Sequence, residues 1–310
     1  MDPIKAAADS LRAARAAGLR IIEPGAPEQR RVQVNGLSIS YLDWGNAHLP
    51  HLLLVHGFAQ QSHSWDFTAL ALRHRFHILA LDLRGHGDSA HAPDGDYSLD
   101  SYLGDMESFV DALELRGVVL CGLSLGGHIS YMYAARRPEC VRALALVEAA
   151  PETCNQGNES ISRFTAGATE FSSFDDMVQR VMAYSPHRTE EQVRGALVYS
   201  VKLLPGGSWT WKYDPRIRDA RLSGYPRQAL WDAIAAISCP TLFVTGAESD
   251  MITGGTVDRM VSAVRGSTSV VVPRAGHRVP GDNPAGFLAV FSRFADSLPV
   301  RVDGGIPHED

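Results

Sequence analysis

Short apolar runs alternate with amphipathic stretches along most of the chain. The apolar runs are typical of strands buried on both faces, and they occur at 51–55, 77–81, 117–121, 141–147, 241–245 and 269–272. Apolar residues at helical spacing predict helices at 64–73, 99–113, 125–136, 256–264 and 286–297. This alternation predicts an α/β fold with a mainly parallel, doubly wound sheet that helices cover on both faces.

The N-terminal part of the chain has two further patterns. Between Arg31 and Trp44, apolar and polar residues alternate around Asn35-Gly36, a dipeptide typical of tight hairpins, which predicts an antiparallel N-terminal hairpin at one sheet edge. Residues 4–19 are rich in alanine at helical spacing and predict a helix within an N-terminal extension, residues 1–30. We interpret this helix as one that can pack on a partner subunit, so a homodimer is an expectation.

Residues 151–236 interrupt the alternation of strands and helices. They are rich in aromatic residues and arginine, with helical periodicity and no clear strand pattern. A connection of this length is not expected to lack structure, and open α/β folds bind ligands at the carboxyl ends of their strands. We therefore predict a helical cap over that edge, between core segments 31–150 and 237–300, with a polar tail at 301–310.

Composition and charge exclude several functions. The chain has 310 residues and a formal net charge of -6, which disfavours a nucleic-acid surface. The four cysteines form no C-x-x-C pair, so a zinc site or disulfide framework is not indicated. No apolar run approaches the about 20 residues of a membrane span, and no secretory signal pattern occurs. We expect a cytoplasmic protein that binds a small-molecule substrate, with no nucleic acid, membrane, metal or cofactor.

The motif G-L-S-L-G at 122–126 carries the strongest chemical signal. It follows a buried apolar run and directly precedes a helical pattern. In such a strand–turn–helix, a sharp turn exposes the serine at a helix N-terminus, where backbone N–H groups stabilise negative charge. G-x-S-x-G alone is a weak pattern, but this context predicts the nucleophile elbow of an acyl-transfer enzyme, with Ser124 as the nucleophile.

Four other motifs make the chain resemble the capped, esterase-like α/β-hydrolases. L-V-H-G-F at 54–58 is similar to that family's strand and oxyanion loop, and D-L-R-G-H-G-D-S at 82–89 to its D-x-R-G-x-G-x-S turn. T-G-A-E-S-D at 245–250 is similar to the loop with the acid, and A-G-H at 275–277 to the loop with the histidine. The resemblance implies the α/β-hydrolase fold and a serine hydrolase.

A serine needs a base to take its proton, and the resemblance implies a catalytic triad of serine, acid and histidine. His277 follows the last predicted strand and is the expected base. The chain order of the triad places the acid between Ser124 and His277, which favours Asp250. Glu248 and Glu148 are the alternatives. Glu148 ends the run 141–147, where some members of this fold carry the acid, and its other interpretation is a support of the active-site loop.

The oxyanion hole needs two N–H donors, each worth about 3–4 kcal/mol to the transition state. We expect them to be the backbone N–H groups of Leu125 and Phe58. Asp82 and Arg84 are interpreted as braces of their loop through an ion pair and hydrogen bonds.

Other residues are candidates for the pocket or for structural roles. The candidate members of the substrate site are Gln60, Trp209 and Trp211, and Gln61, a further neighbour of the oxyanion loop, can also contact substrate. Histidines near the motifs are expected to form hydrogen bonds or pack rather than bind metal: His63, His86 and His128. Arg163 and Arg216 can clamp a substrate carboxylate, but we interpret them as solvated surface charges.

The leading functional prediction is hydrolysis of a small to medium, partly apolar carboxylic ester through an acyl-enzyme. Lactone hydrolysis, perhydrolysis and carbon–carbon bond hydrolysis of a vinylogous diketone remain alternatives on the same triad. Relatives of the carbon–carbon type usually carry an aromatic residue after the histidine, where this chain has Arg278. A non-catalytic ligand receptor with the hydrolase fold is the alternative from another class.

Overall fold

Two β-sheets organise the protein, which a computed structural model describes over residues 3–167, 169–218 and 225–299. The strands are β1 (Glu28–Val34), β2 (Leu37–Asp43), β3 (His51–Val55), β4 (His77–Leu81), β5 (Val118–Leu123), β6 (Val141–Val147), β7 (Glu170–Phe171), β8 (Val201–Leu203), β9 (Trp209–Trp211), β10 (Thr241–Gly246) and β11 (Thr268–Val272). Eight of them form the large sheet in the order β1-β2-β4-β3-β5-β6-β10-β11. β1 and β2 run antiparallel to their neighbours, and the others are parallel. The predicted parallel sheet with an antiparallel hairpin at one edge is therefore confirmed.

Helices follow most of the strands. They are α1 (Pro3–Ala16), α2 (Asp66–Leu72), α3 (Leu99–Ala112), α4 (Leu125–Arg136), α5 (Asn155–Ala166), α6 (Phe174–Tyr184), α7 (Glu190–Leu197), α8 (Arg227–Ala235), α9 (Gly254–Ala263), α10 (Val279–Asp282) and α11 (Pro284–Ser297). No helix in the described parts of the chain is long and apolar enough to cross a membrane.

The sheet separates two hydrophobic cores. Successive residues of β3 point to opposite faces, so Leu53 and Val55 join the core with α3 and α4, whereas Leu52 and Leu54 join the core with α2 and α11. All four side chains are at most 1% exposed. Burial on both faces explains why these strands are continuous apolar runs in the sequence.

The insertion after β6 contains strands that the sequence pattern did not predict. β7 and β8 each pair antiparallel with β9, between helices α5 to α8. With two or three residues each, these strands are too short to show a period-2 pattern. The insertion thus contains both helices and strands and is not purely helical, and its role as a cap remains a prediction. Its boundaries remain a prediction, and the predicted tail at 301–310 lies outside the described residues.

Helix α1 packs on its own chain. It contacts α2 and α7, and Leu11 packs against the core that contains α2. Arg12 Nε also lies 3.9 Å from a carboxylate oxygen of Glu191 on α7. The apolar face that suggested a partner subunit is therefore covered within the chain, and a homodimer remains a prediction.

Candidate active site

Ser124 occupies a strained turn between β5 and α4. Its backbone has φ 52° and ψ −116°, a region that residues other than glycine rarely adopt. The Ser124 N–H donates to the carbonyl of Val147 at 2.9 Å, which fixes the turn against β6. A Cβ at Gly126 would collide with the carbonyl oxygen of Val55, so glycine is required where α4 passes β3. The strand–turn–helix expected from the sequence is present.

His277 lies in the loop between β11 and α10. It lines the same small cavity as Ser124, together with Phe58 and Gln60 of the loop after β3 and Tyr184 of the cap. The fold therefore brings together the serine and the histidine, which lie 153 positions apart in the sequence. The imidazole is partly buried, with an exposed side-chain fraction of 15%.

Glu148 is the carboxylate next to His277. Its Oε2 lies 3.2 Å from Nδ1 of His277 and accepts a hydrogen bond from the Ser249 hydroxyl at 2.6 Å, while Oε1 accepts from the Gly246 N–H at 2.8 Å. The Glu148 side chain is fully buried, and its backbone has φ 51°, so the end of β6 is a second strained position. These contacts fix the carboxylate where it can orient an imidazole and stabilise its positive charge.

The other two carboxylates considered for this role lie elsewhere. Asp250 is exposed, and among the described contacts it forms no hydrogen bond or ion pair with His277. Glu248 is also exposed and lies 3.5 Å from Nε2 of His187. In the loop after β10, the residue that contacts Glu148 is Ser249. The next residue, Asp250, is exposed. The expectation that Asp250 orients the histidine is therefore revised in favour of Glu148.

The two expected oxyanion donors belong to the loop after β3 and to the start of α4. Phe58 lines the cavity with Ser124, and Leu125 is the first residue of α4. Within the described part of the chain, neither backbone N–H donates to another backbone group, which for Leu125 is typical of the first turn of a helix. The loop is shaped by Ala59, which has φ 57°, and by Gly57, whose N–H donates to the Gln60 side chain at 3.2 Å.

His56 links the oxyanion loop to the loop after β4 through two hydrogen bonds. Nδ1 donates to the Gly57 carbonyl at 2.8 Å, and Nε2 accepts from the Leu83 N–H at 3.1 Å. This pattern requires the neutral ring, and burial lowers the pKa of His56 to about 4. The imidazole is thus a neutral structural link between the loops after β3 and β4.

The loop after β4 is braced, but with partners that the motif did not reveal. Asp82 accepts backbone N–H groups from Ser62 at 2.6 Å and Asp88 at 3.0 Å. Arg84 forms a bidentate ion pair with Asp105 on α3, at 2.6 and 2.7 Å. The expected bracing role is supported, with Asp105 as the partner of the arginine.

The three histidines near the motifs have protein partners. His63 Nδ1 lies 3.0 Å from Asp66, and His86 Nδ1 lies 2.9 Å from the Arg84 carbonyl. His128 bridges the carbonyls of Ser124 and Ala150 at 2.9 and 3.0 Å. Among the described residues, no group of three or more His, Cys, Asp or Glu side chains is arranged to hold a metal ion.

A cleft of about 600 Å³ lies beside the small cavity and shares Gln60, Phe164 and Arg278 with it. Of the aromatic residues named from the sequence, Trp211 lines the cleft. Trp209 packs on Phe174 within the cap, with ring centroids 5.4 Å apart, and is absent from the lining.

Sequence reasoning did not identify several residues of the cleft. Ser10 and Ala13 of α1, Tyr199 and Arg188 of the cap, and Arg278 all line it. Arg278 had a usable signal, since it directly follows the histidine of the site. The others had none, because their place in the cleft depends on how α1 and the cap dock on the core.

Comparison with known proteins identifies the relatives of this chain. A model of the alpha/beta hydrolase family matches residues 52–290. An esterase of Mycobacterium tuberculosis is 30% identical over 280 residues, which cover 87% of this chain and 90% of that protein. A crystal structure of an esterase from that organism aligns with this chain at a TM-score of 0.77 and 29% identity. The alignment covers 94% of this chain and 98% of the esterase chain.

Two further relatives carry other hydrolase names. A 3-hydroxybutyrate-oligomer hydrolase of Cupriavidus necator is 29% identical and is matched over 80% of this chain and 89% of its own length. An N-formylmaleamate deformylase of Pseudomonas putida is 28% identical, over 86% of this chain and 95% of its own.

Proposed function

This chain belongs to the alpha/beta hydrolase family, and from that premise we propose that it hydrolyses carboxylic esters through an acyl-enzyme. The observation that carries the proposal is the pairing of His277 with buried Glu148 at the cavity that Ser124 lines. A strained serine, an imidazole and a buried carboxylate are the parts that acyl transfer needs. Ser124, His277 and Glu148 form the proposed triad.

In the acylation step, the Ser124 hydroxyl attacks the ester carbonyl and His277 takes its proton. Glu148 holds Nδ1 and stabilises the imidazolium that forms. The N–H groups of Phe58 and Leu125 donate to the oxyanion of the tetrahedral intermediate. The intermediate collapses as His277 returns the proton to the departing alcohol oxygen, and the acyl group stays on Ser124.

In the deacylation step, a water molecule takes the place of the alcohol. His277 accepts a proton from the water, whose oxygen attacks the acyl carbon, and then returns the proton to the Ser124 oxygen. The products are a carboxylic acid and free enzyme. No redox change occurs, so no cofactor is needed to balance either step.

The cleft supports an ester of small to medium size. It is lined by apolar side chains such as Phe164, Trp211 and Val181 as well as polar groups, and pockets of this size suit small organic ligands. The names of the esterase and oligomer-hydrolase relatives support ester cleavage. Lactones, carbon–carbon bonds and turnover-free binding stay as alternatives that the assay below separates.

The test is hydrolysis of p-nitrophenyl esters of increasing acyl length by the wild type and by Ser124→Ala. We expect wild-type turnover and a loss of at least about a thousandfold in kcat for the variant, as for removal of a triad nucleophile. Ser108→Ala on α3, away from the cavity, is the matched control and keeps wild-type rates. Ester hydrolysis that survives in Ser124→Ala would contradict the mechanism.

If no ester is hydrolysed, lactones and vinylogous diketones follow as substrates under the same comparison. Trapping of the intermediate gives an independent check: intact-protein mass spectrometry after rapid acid quench should show the acyl mass on wild type and not on Ser124→Ala. Binding of these compounds without turnover would favour the receptor alternative.

A further inference from the structure

Two arginine side chains line the cleft, and one of them also lines the small cavity beside it. Arg278 follows the catalytic histidine of the proposed triad and lines both spaces, and Arg188, in the loop between α6 and α7, lines the cleft. The charge of Arg278 acts directly on Arg188. Gly281 of α10 also lies against the Arg188 side chain, since a Cβ there would be 3.9 Å from Nε. The structure thus places two cations in the cleft, and one of them directly follows His277 in the chain.

Neither arginine has a carboxylate partner in an ion pair among the described residues, unlike Arg194 and Arg216 of the same insertion. Arg194 pairs with Asp175 at 2.7 Å, and Arg216 pairs with Asp214 at 2.6 Å. The Arg188 Nη2 donates to the Gln192 carbonyl at 3.0 Å, but its Nε is buried and has no hydrogen-bond partner. A buried donor without an acceptor is costly unless a ligand satisfies it.

Aromatic rings hold Arg278 in position. Its guanidinium lies 4.9 Å from the ring centroid of Tyr184 and 5.8 Å from that of Phe164. The two rings stack on each other with centroids 4.5 Å apart. Such cation–π contacts fix a guanidinium by its face and leave its N–H edge free to donate. Arg278 is therefore preorganised without being neutralised.

The charged groups around the pair do not cancel it. Asp282 of α10 is the carboxylate that acts on both arginines; it accepts the Gly276 N–H at 3.0 Å, and burial raises its pKa. His187, which also acts on Asp282, lies next to another carboxylate: its Nε2 is 3.5 Å from a carboxylate oxygen of Glu248. Burial and the charge of Arg278 lower the pKa of Arg188 to about 10, so its guanidinium remains charged at neutral pH. The other carboxylates that line the cleft form ion pairs elsewhere: Asp9 and Glu191 with Arg12, Asp66 with His63, and Glu190 with Arg194. Among these groups, Asp282 is therefore the carboxylate that faces Arg188 and Arg278.

From these contacts we propose that Arg188 and Arg278 form an anion subsite that binds a carboxylate of the substrate, an inference that rests on the proposed ester hydrolysis. Guanidinium groups match the planar geometry of a carboxylate with paired N–H donors. The preferred substrate class is then an ester that also carries a free acid group, such as the monoester of a dicarboxylic acid. The overall negative charge of the protein would otherwise repel such a substrate.

The test compares two substrates of equal length, p-nitrophenyl pentanoate and the p-nitrophenyl monoester of glutaric acid. We expect the wild type to prefer the glutarate monoester in kcat/KM by at least about tenfold, mainly through a lower KM, from charge-assisted hydrogen bonds. In Arg278→Gln and in Arg188→Gln, this preference ratio should fall by at least about tenfold. A ratio is used because each variant can also change the rate with the neutral ester.

Arg163→Gln is the matched control, since it removes one exposed positive charge of the cap that does not line the cleft. It should keep the wild-type ratio. Arg188→Lys and Arg278→Lys retain the charge and serve if a glutamine variant does not fold, as judged by circular dichroism. In these lysine variants the preference ratio should fall below that of the wild type, because an ammonium group cannot form the paired N–H bonds of a guanidinium.

Inhibition by free glutarate covers the case in which the acid group lies on the alcohol side of the ester. Glutarate should compete with the neutral ester in the wild type and bind at least about tenfold more weakly in Arg278→Gln. An unchanged preference ratio together with unchanged glutarate inhibition would overturn the subsite.

Calorimetric titration of glutarate into Ser124→Ala separates the two proposals. Arginine-dependent glutarate binding without ester turnover by the wild type would refute ester hydrolysis and retain the subsite. Ser124-dependent turnover that the arginine variants do not change, without arginine-dependent glutarate binding, would refute the subsite and retain ester hydrolysis.

Discussion

At the scale of single residues, the acid of the proposed triad shows how adjacent strands share a function. β6 and β10 are neighbouring parallel strands, so their carboxyl ends open at the same edge of the sheet. A carboxylate after either strand can reach a histidine that follows β11. In this chain, Glu148 ends β6 in a left-handed backbone conformation that directs its side chain to His277. Ser249 and Gly246, from the loop and end of β10, donate hydrogen bonds to it.

Substitution of each carboxylate by its amide tests this assignment. Glu148→Gln should lower kcat by about a hundredfold or more, because the amide cannot stabilise the charged imidazole. Asp250→Asn is the matched control and should keep kcat within about twofold, the noise expected for an exposed site. The comparison uses p-nitrophenyl esters at saturating concentration. A larger loss for Asp250→Asn than for Glu148→Gln would restore the earlier assignment.

At the scale of elements, the N-terminal helix belongs to the wall of the cleft. Ser10 and Ala13 of α1 face the cleft together with Tyr199, which follows α7. Tyr199 stacks on His63, which also lines the cleft, with ring centroids 3.5 Å apart. The helix therefore limits the space open to a substrate, an arrangement that does not depend on a second subunit.

A bulky side chain at Ala13 should reduce the cleft. Ala13→Trp is expected to lower kcat/KM for a twelve-carbon acyl ester by about tenfold, with a smaller effect on the four-carbon ester, since hydrophobic contacts with added methylenes are lost. Ala16→Trp, at the exposed end of α1 and outside the cleft lining, is the control. Equal losses on both esters in Ala13→Trp would argue against a role of α1 in acyl-chain selection.

At the scale of the whole molecule, buried neutral histidines couple folding to pH. Burial lowers the pKa of His56 to about 4 and that of His86 to about 3. The unfolded chain titrates near the ordinary histidine value, about 6.5. Below that value, the unfolded state binds protons that the native state does not, so the free energy of unfolding falls as the pH falls. This loss continues until the native pKa values are reached.

Urea unfolding between pH 8 and pH 4.5 measures this dependence. We expect stability to be level above about pH 7 and to fall below about pH 6.5, by up to about 1.4 kcal/mol per pH unit for each such histidine. His86→Leu removes one of the groups and should make the acid slope shallower, with the range above pH 7 serving as its internal control. A variant slope equal to that of the wild type would show that His86 is not involved.

The sequence by itself determined the mainly parallel sheet and the order of its strands and helices along the chain. It also placed Ser124 and His277 in the loops that follow strands. Strands buried on both faces must be apolar throughout, and a serine in a strained turn needs small neighbours, so both leave marks in the local sequence. The short cap strands left no such mark, because a pattern of period 2 needs more residues than they have.

Only the tertiary structure decided which carboxylate contacts His277, which residue pairs with Arg84, and what lines the cleft. The physical reason is the same in each case: these contacts join segments that are distant in the chain and that meet through the packing of whole elements. Arg188 illustrates this, since nothing in the sequence around it indicates that its Nε is buried without a hydrogen-bond partner. Local patterns define the elements, whereas packing defines which of their side chains meet.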